Sequence, residues 1–314
     1  MAENKVQFQK GVSLPDYLKL YGTEEQCFDA LFQWRWPEGF VCPNCGHDKS
    51  CQLTGRKLQQ CNRCHHQTSI TAGTIFHSTK LPLTTWFLGL YFIVQGKKGV
   101  SSLQLKRCLG ISYHAAWRMK QKFMQAMMER EQGQGKMLCG FIEVDDAYLG
   151  GERSGKVGRG AAGKTPFVAA VQTTSQGQPE AIKLQIVDGF RGKTIERLAK
   201  KHFESGSTII SDGLNCFNSV TDADCEHERI VCGGGKASVE APEFYWVNTV
   251  LGNLKSALRS TYHSIKPKHA QRYLSEFQYR FNRRYNLVTI STRLAYASLR
   301  TPPMPEWLLR INAN

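Results

Sequence analysis

FIEVDDAYLGG, residues 141–151, decides how the rest of the chain is read. An apolar, strand-like run stops on two acids, Asp145 and Asp146, and then meets a Gly-Gly turn. Acids at the end of a strand add little to packing. They are well placed to hold a hard cation such as Mg²⁺, which takes oxygen ligands and often only one or two protein carboxylates. Two other stretches answer this one. STIISDG, residues 207–213, is a second short β-branched run ending on an acid, Asp212; WVNTVLGNLK, residues 246–255, is helix-like and carries Asn248 and Lys255. The pattern sets the expectation of a divalent-metal site assembled from three distant segments. Asn248 and Lys255 are seven residues apart, so two helical turns leave them within about 20° of each other on one face.

Working outward, hydrophobic patterning predicts strands over 138–144, 166–174 and 181–187, the last two joined by the turn SQGQ, then a helix over 194–203 and STIIS as a fourth strand. Three strands, a helix, a fourth strand and later helices give the order of an RNase H-like α/β fold. There the first and fourth strands are neighbours, so Asp145 and Asp212 are expected to converge. Either Asp alone would more commonly be a helix N-cap or a turn acid; the pair in this order carries the expectation. The loop between the first two strands bears Arg153, Lys156, Arg159 and Lys164 among glycines. It lacks the GxxxxGK[ST] pattern that cradles phosphates at a helix start, so it reads as a basic hairpin tip touching DNA or as a solvated loop. Residues 268–285 predict a helix with a basic, aromatic face, suited to DNA-backbone contacts or to packing beneath solvated arginines. The tail, 301–314, reads as an extended finish.

The N-terminal half has another character. A lead-in, 1–40, holds a short helix over 23–33. Over 41–76, Cys42 and Cys45 form one CxxC and Cys61 and Cys64 another, with fifteen residues between the pairs. That is the spacing of a Cys₄ zinc ribbon, a closed tetrahedral and therefore structural site for Zn²⁺. His47, His65 and His66 are expected on its surface, and Cys51 in its packing. Over 77–132 a nearly continuous apolar run, PLTTWFLGLYFIVQ, predicts a buried helix. Residues 101–109 and 113–128 flank a Gly-containing turn with Ser112 as an N-cap, the outline of a helix-turn-helix or of an ordinary helical hairpin. Tyr113, His114, Trp117, Arg118, Lys120 and Lys122 on the second helix are candidates to reach phosphates and base edges. EREQGQGK, residues 129–136, reads as a linker before a catalytic domain over 137–300.

The net charge of +15, from 41 Lys and Arg against 26 acids, points to a polyanionic partner, nucleic acid first. No secretory h-region opens the sequence, and the longest apolar run, 86–94, is too short to span a bilayer. Eleven cysteines with two CxxC pairs suit reduced thiols and a metal. A cytoplasmic, nucleoid-associated protein is the expectation.

These residues resemble the DDE-type transposases of bacterial insertion sequences, the zinc-ribbon group with a DDNK signature (ISXO type). EVDDAYLGG, SDG and WVNTVLGNLKSALRSTYH followed by EFQYRFNRR carry the resemblance. It implies that Asp145, Asp212 and Asn248 hold two Mg²⁺ or Mn²⁺ ions and that Lys255 is the accompanying basic residue. Most such enzymes have Glu in place of Asn248, so Asp146, Glu143, Glu240 and Glu243 are reserve carboxylates. Asp146 ranks first, although strand alternation points it away from Asp145. The implied activity is cleavage at insertion-sequence ends and strand transfer into target DNA, with terminal inverted repeats as partners and a homodimer or higher assembly on DNA. Two alternatives remain open: a DNA-binding regulator on a degenerate fold, and a nuclease or resolvase that cuts without joining.

Overall fold

Two patterns of burial, one helical and one of period two, divide the chain. A computed structural model describes residues 10–133, 135–150, 163–231 and 241–311. They form two compact units, one up to Glu129 and again over Tyr285–Ile311, the other over Arg130–Arg284.

In the first unit, α1 (Leu14–Tyr21) starts at Ser13, whose hydroxyl accepts from Asp16 N–H, and α2 (Glu24–Arg35) starts at a reciprocal capping box between Thr23 and Gln26. The ribbon strands β1 (Ser50–Leu53), β2 (Leu58–Cys61) and β3 (Gln67–Ser69) pair antiparallel in that order. The apolar run becomes α3 (Leu83–Gln95), burying Trp86, Phe87, Leu90, Ile93 and Val94. α4 (Ser102–Leu109) is capped by Ser101 and stopped by Gly110 at φ +65°; α5 (Tyr113–Gly133) is capped by Ser112. The helix, tight turn and helix expected from the sequence are therefore present. Their basic residues are not all outward. Lys120 is fully buried with its ammonium on Val100 O at 2.7 Å, and the half-buried Lys122 donates to Ile75 O at 2.6 Å. Neither side chain is free for DNA; Tyr113, His114 and Arg118 are exposed.

Three further differences from the sequence reading share one cause, packing that local pattern does not report. Residues 129–136 are not a linker throughout, since α5 runs to Gly133 and Glu131 is buried. α9 (Ile290–Arg300), expected inside the catalytic domain, belongs to the first unit, where Ile290, Leu294, Ala295 and Leu299 are buried and the helix packs on α2 and α3. The tail is not wholly extended: Pro305 opens a short helix, α10 (Glu306–Arg310), with Glu306 paired to Arg310 and to Arg118.

The second unit is one five-stranded sheet in the order β6-β5-β4-β7-β8. β4 (Phe141–Leu149), β5 (Thr165–Thr173) and β6 (Pro179–Ile186) form an antiparallel meander. α6 (Gly192–His202) crosses over to β7 (Thr208–Ser211), which pairs parallel to β4, and β8 (Glu226–Arg229) pairs parallel to β7. A meander followed by parallel crossover strands is the RNase H-like fold. β8 has no counterpart in the sequence reading, because EHER carries no strand-like apolar alternation.

Alternation along β4 sends neighbouring residues to opposite faces. Ile142 and Val144 join Ile195, Leu198 and Phe217 under α6 and the 3₁₀ segment Asn215–Ala223. On the other face Ala147, Ala169 and Val171 pack against Val247, Val250 and Leu254 of α7 (Tyr245–Thr261) and Leu274 of α8 (Ala270–Asn282). α8 also seals the free edge of β6: Gln271, Gln278 and Asn282 side-chain oxygens accept from the backbone N–H groups of Ile186, Leu184 and Ile182 at 2.8, 2.9 and 2.8 Å. An edge strand covered in this way cannot template pairing with another chain. Of the two roles expected for residues 268–285 the packing one is seen, though with the arginines drawn inward: Arg272 is buried, and Arg284, just past the helix, donates to the carbonyl of Glu180.

Candidate metal centre

The ribbon builds its site from two copies of one turn. Cys42 N–H donates to His47 O at 2.9 Å and Cys61 N–H to His66 O at 3.0 Å, and the fifth residue of each knuckle, Gly46 or His65, takes positive φ. These turns aim four thiols at one point. Sγ of Cys42 lies 3.6 Å from Cys64 and Sγ of Cys45 lies 3.6 Å from Cys61. A tetrahedron with Zn–S of about 2.3 Å sets sulfurs about 3.8 Å apart, so the donor set fits Zn²⁺. His65 and His66 are exposed and no histidine joins the cluster. Cys51 is exposed on β1, contrary to the packing role expected of it.

The second cluster lies where β4 outruns β7. Their pairing ends at Val144 with Ser211, and the next residue on each strand is an acid, Asp145 or Asp212. Asp145, Asp146 and Asp212 each offer a carboxylate oxygen within 4.8 Å of the others. Asp146 thus stands with its neighbour rather than apart from it. Burial, then the charges of Asp146 and Asp212, push the Asp145 carboxyl up to about 7, with Lys255 acting in the opposite sense. Crowded carboxylates of this kind are relieved by a divalent cation, and three oxygen donors suit Mg²⁺ or Mn²⁺.

Asp212 is held by its own turn: Leu214 N–H donates to its Oδ1 at 3.0 Å, and Arg229 on β8 donates to Gly213 O at 2.7 Å. Asn248 is half-buried near the start of α7, and Lys255 is exposed two turns on. Glu143 is not among the clustered acids. Its Oε2 accepts from Trp246 N–H at 2.9 Å and Val247 N–H at 2.7 Å, and burial pushes its carboxyl up to about 7 against those two bonds. No local signal in the sequence announced this contact. Glu243 is exposed, and Glu240 and the basic loop residues Arg153, Lys156 and Arg159 lie outside the described residues.

Fold and site together define the class: an RNase H-like domain with an acid cluster suited to divalent cations, joined in one chain to a four-cysteine zinc ribbon. Residues 137–282 match the ISXO2-like transposase domain and residues 22–67 the transposase zinc-ribbon domain, so the chain carries both of these transposase domains. It is similar to an uncharacterized protein in transposable element ISH50 of Halobacterium salinarum, 26% identical over 239 residues that cover 70% of this chain and 78% of the relative. Among solved structures, the Mos1 mariner paired-end complex with Mn aligns over 68% of this chain and 78% of that chain at 11% identity and a TM-score of 0.27. A pre-cleavage Mos1 transpososome aligns over 70% and 79% at 8% identity and a TM-score of 0.26. Among the described residues no helix is long and apolar enough to cross a membrane.

Proposed function

We propose that this chain catalyses DNA transposition: metal-dependent cleavage at the ends of an insertion sequence, then joining of the freed ends to target DNA. The observation that carries the reading is the meeting of Asp145, Asp146 and Asp212 within 4.8 Å inside an ISXO2-like transposase domain. Asp145, Asp212 and Asn248 would hold the catalytic ions, with Asp146 able to complete the set. Bound there, two Mg²⁺ or Mn²⁺ ions would activate the attacking oxygen and stabilise the leaving oxygen.

The chain's own residues position the reactants. Lys255 lies within electrostatic range of Asp145 and holds a DNA phosphate beside the cut as a point charge. In the first step water attacks phosphorus, the P–O3′ bond breaks, and the leaving oxygen takes a proton to become a 3′-OH. In the second that hydroxyl attacks a target phosphodiester and displaces its 3′ oxygen, so one ester bond replaces another without an added energy source. The ribbon and the exposed Tyr113, His114 and Arg118 recognise terminal inverted repeats. A dimer or larger assembly brings two ends together.

The test is incubation of the purified protein with Mg²⁺ or Mn²⁺, end DNA and a supercoiled target. Cutting with joining is the expected result; binding without cutting would support a regulator, and cutting alone a nuclease. Full metal-dependent cleavage by Asp145→Ala or Asp212→Ala would overturn the assignment.

A further inference from the structure

The first turn of α7 needs an acceptor that its own segment does not supply. The N-cap residue is Phe244, which offers no side-chain acceptor, and a one-turn 3₁₀ segment, Pro242–Phe244, leads into the helix. The donors of Trp246 and Val247 are satisfied instead by Glu143, more than a hundred residues earlier in the chain. Glu143 sits on the central strand, opposite Val171 of β5 and Ile210 of β7, and is 5% exposed. A carboxylate at a helix N-terminus is favoured by the unpaired N–H groups and by the helix dipole.

The position of this contact matters more than its strength. Two residues further along the same face of β4 stands Asp145, and one residue beyond Val247 stands Asn248. Apart from the Trp246 indole N–H, which donates to Gly177 O in the β5–β6 turn away from the acids, the helix packs on the sheet through apolar side chains, Val247, Val250, Leu251 and Leu254 sharing a core with Phe167, Ala169 and Val171. Such packing is non-directional and tolerates small slides and rotations of a helix; a carboxylate spanning two adjacent N–H groups does not. We propose that Glu143 is a positioning residue, a clamp that sets α7 on β4 and thereby fixes Asn248 and Lys255 relative to Asp145 and Asp212. This rests on the proposed metal-dependent chemistry for its catalytic consequence, but the clamp itself is a property of the metal-free fold.

The experiment compares full-length Glu143→Ala and Glu143→Gln with the unaltered protein, alongside Asp145→Asn. Hydrogen exchange of the Trp246 and Val247 amides, measured without metal, reads the clamp directly. Exchange is expected to speed in Glu143→Ala and to stay slow in Glu143→Gln, whose amide oxygen can accept the same bonds. The Mn²⁺ concentration for half-maximal end cleavage should rise about tenfold to a hundredfold in Glu143→Ala, the usual scale for a residue that orients ligands. Glu143→Gln should restore most of the loss, and binding of end DNA should not change. Unchanged amide exchange in Glu143→Ala overturns the clamp. Altered exchange with an unaltered Mn²⁺ requirement overturns the positioning role. Equal loss in the Ala and Gln variants overturns it too, because it would show that the negative charge is needed, as in a ligand. If Glu143→Ala fails to fold, Glu143→Gln decides: slow exchange and near-normal Mn²⁺ dependence uphold the clamp, and loss of either rejects it. Wild-type cleavage by Asp145→Asn, with the exchange result intact, would instead remove the catalytic reading and leave the clamp standing.

Discussion

The ribbon and the acid cluster are two metal-type sites built on opposite principles. The four cysteines lie within one short stretch, Cys42 and Cys64 only 22 positions apart, and two hydrogen-bonded knuckles aim them before any other part of the chain is needed. Asp145 and Asp212 come from two strands joined through the meander and a crossover helix, and they meet only because β4 and β7 pair in parallel. A local site of soft thiolates closes around its ion and serves structure. The assembled group of hard oxygen donors stands at a strand end with all three acids partly exposed.

Removing the local site should have the largest effect. Cys61→Ser, or chelation, is expected to unfold the ribbon with a loss on the order of 10 kcal/mol of metal-linked free energy while the sheet of the second unit stays folded. Zinc content and circular dichroism of the separate transitions check this; a ribbon that remains ordered without zinc would break the contrast. Next, Asp212→Asn should lower metal-dependent end cleavage on the order of a thousandfold, about 4 kcal/mol, with little change in melting temperature. The same measurement on Asp146→Asn, expected to give a smaller loss, tells whether the assembled site uses two acids or three.

The assembled site also depends on the unit around it, and His202 offers a way to loosen that unit. Burial, then the charges of Lys183 and Lys201, hold the His202 imidazole down to about 3. Its folded value lies below the ordinary value of about 6.5, so the unfolded chain binds the extra proton first. The contribution is fully present above about pH 6.5 and is lost as pH falls towards 3. Between pH 7 and pH 5 the second unit should lose about 2 kcal/mol from this group, and His202→Gln should flatten that slope in denaturant titrations followed by pH. The smallest effect is expected at Lys255, which is exposed: Lys255→Gln should weaken cleavage about tenfold, with an increased dependence on DNA concentration rather than on metal. Unchanged DNA dependence would argue that this lysine holds no phosphate.

What was legible differs between the two regions for the same reason. The CxxC spacing is a local signal and named its four ligands directly. The strand-end position of Asp145 and Asp212, with the element order around them, was enough to expect their convergence. Asp146 was expected apart from Asp145 because alternation fixes only the direction of Cα–Cβ along a strand, whereas the carboxylate oxygens of Asp145, Asp146 and Asp212 lie within 4.8 Å of one another. Lys120 and Lys122 looked like groove-reading residues, yet both ammonium groups are spent on buried carbonyls, which a one-dimensional charge pattern cannot report. β8, α9 and the amide-sealed edge of β6 were invisible because contacts with distant segments hold them in place.

The sequence by itself determined the four-cysteine ribbon, the apolar and alternating runs that become its helices and main strands, and the acids at their ends. Those features follow from spacing, capping and periodicity, which act over a few residues. Only the tertiary structure decided that Asp146 joins Asp145 and Asp212, that Glu143 bonds the start of α7, and that the lysines of α5 turn inward. Each of these depends on which distant backbone group lies across a few ångströms of space, and strand pairing and packing fix that distance.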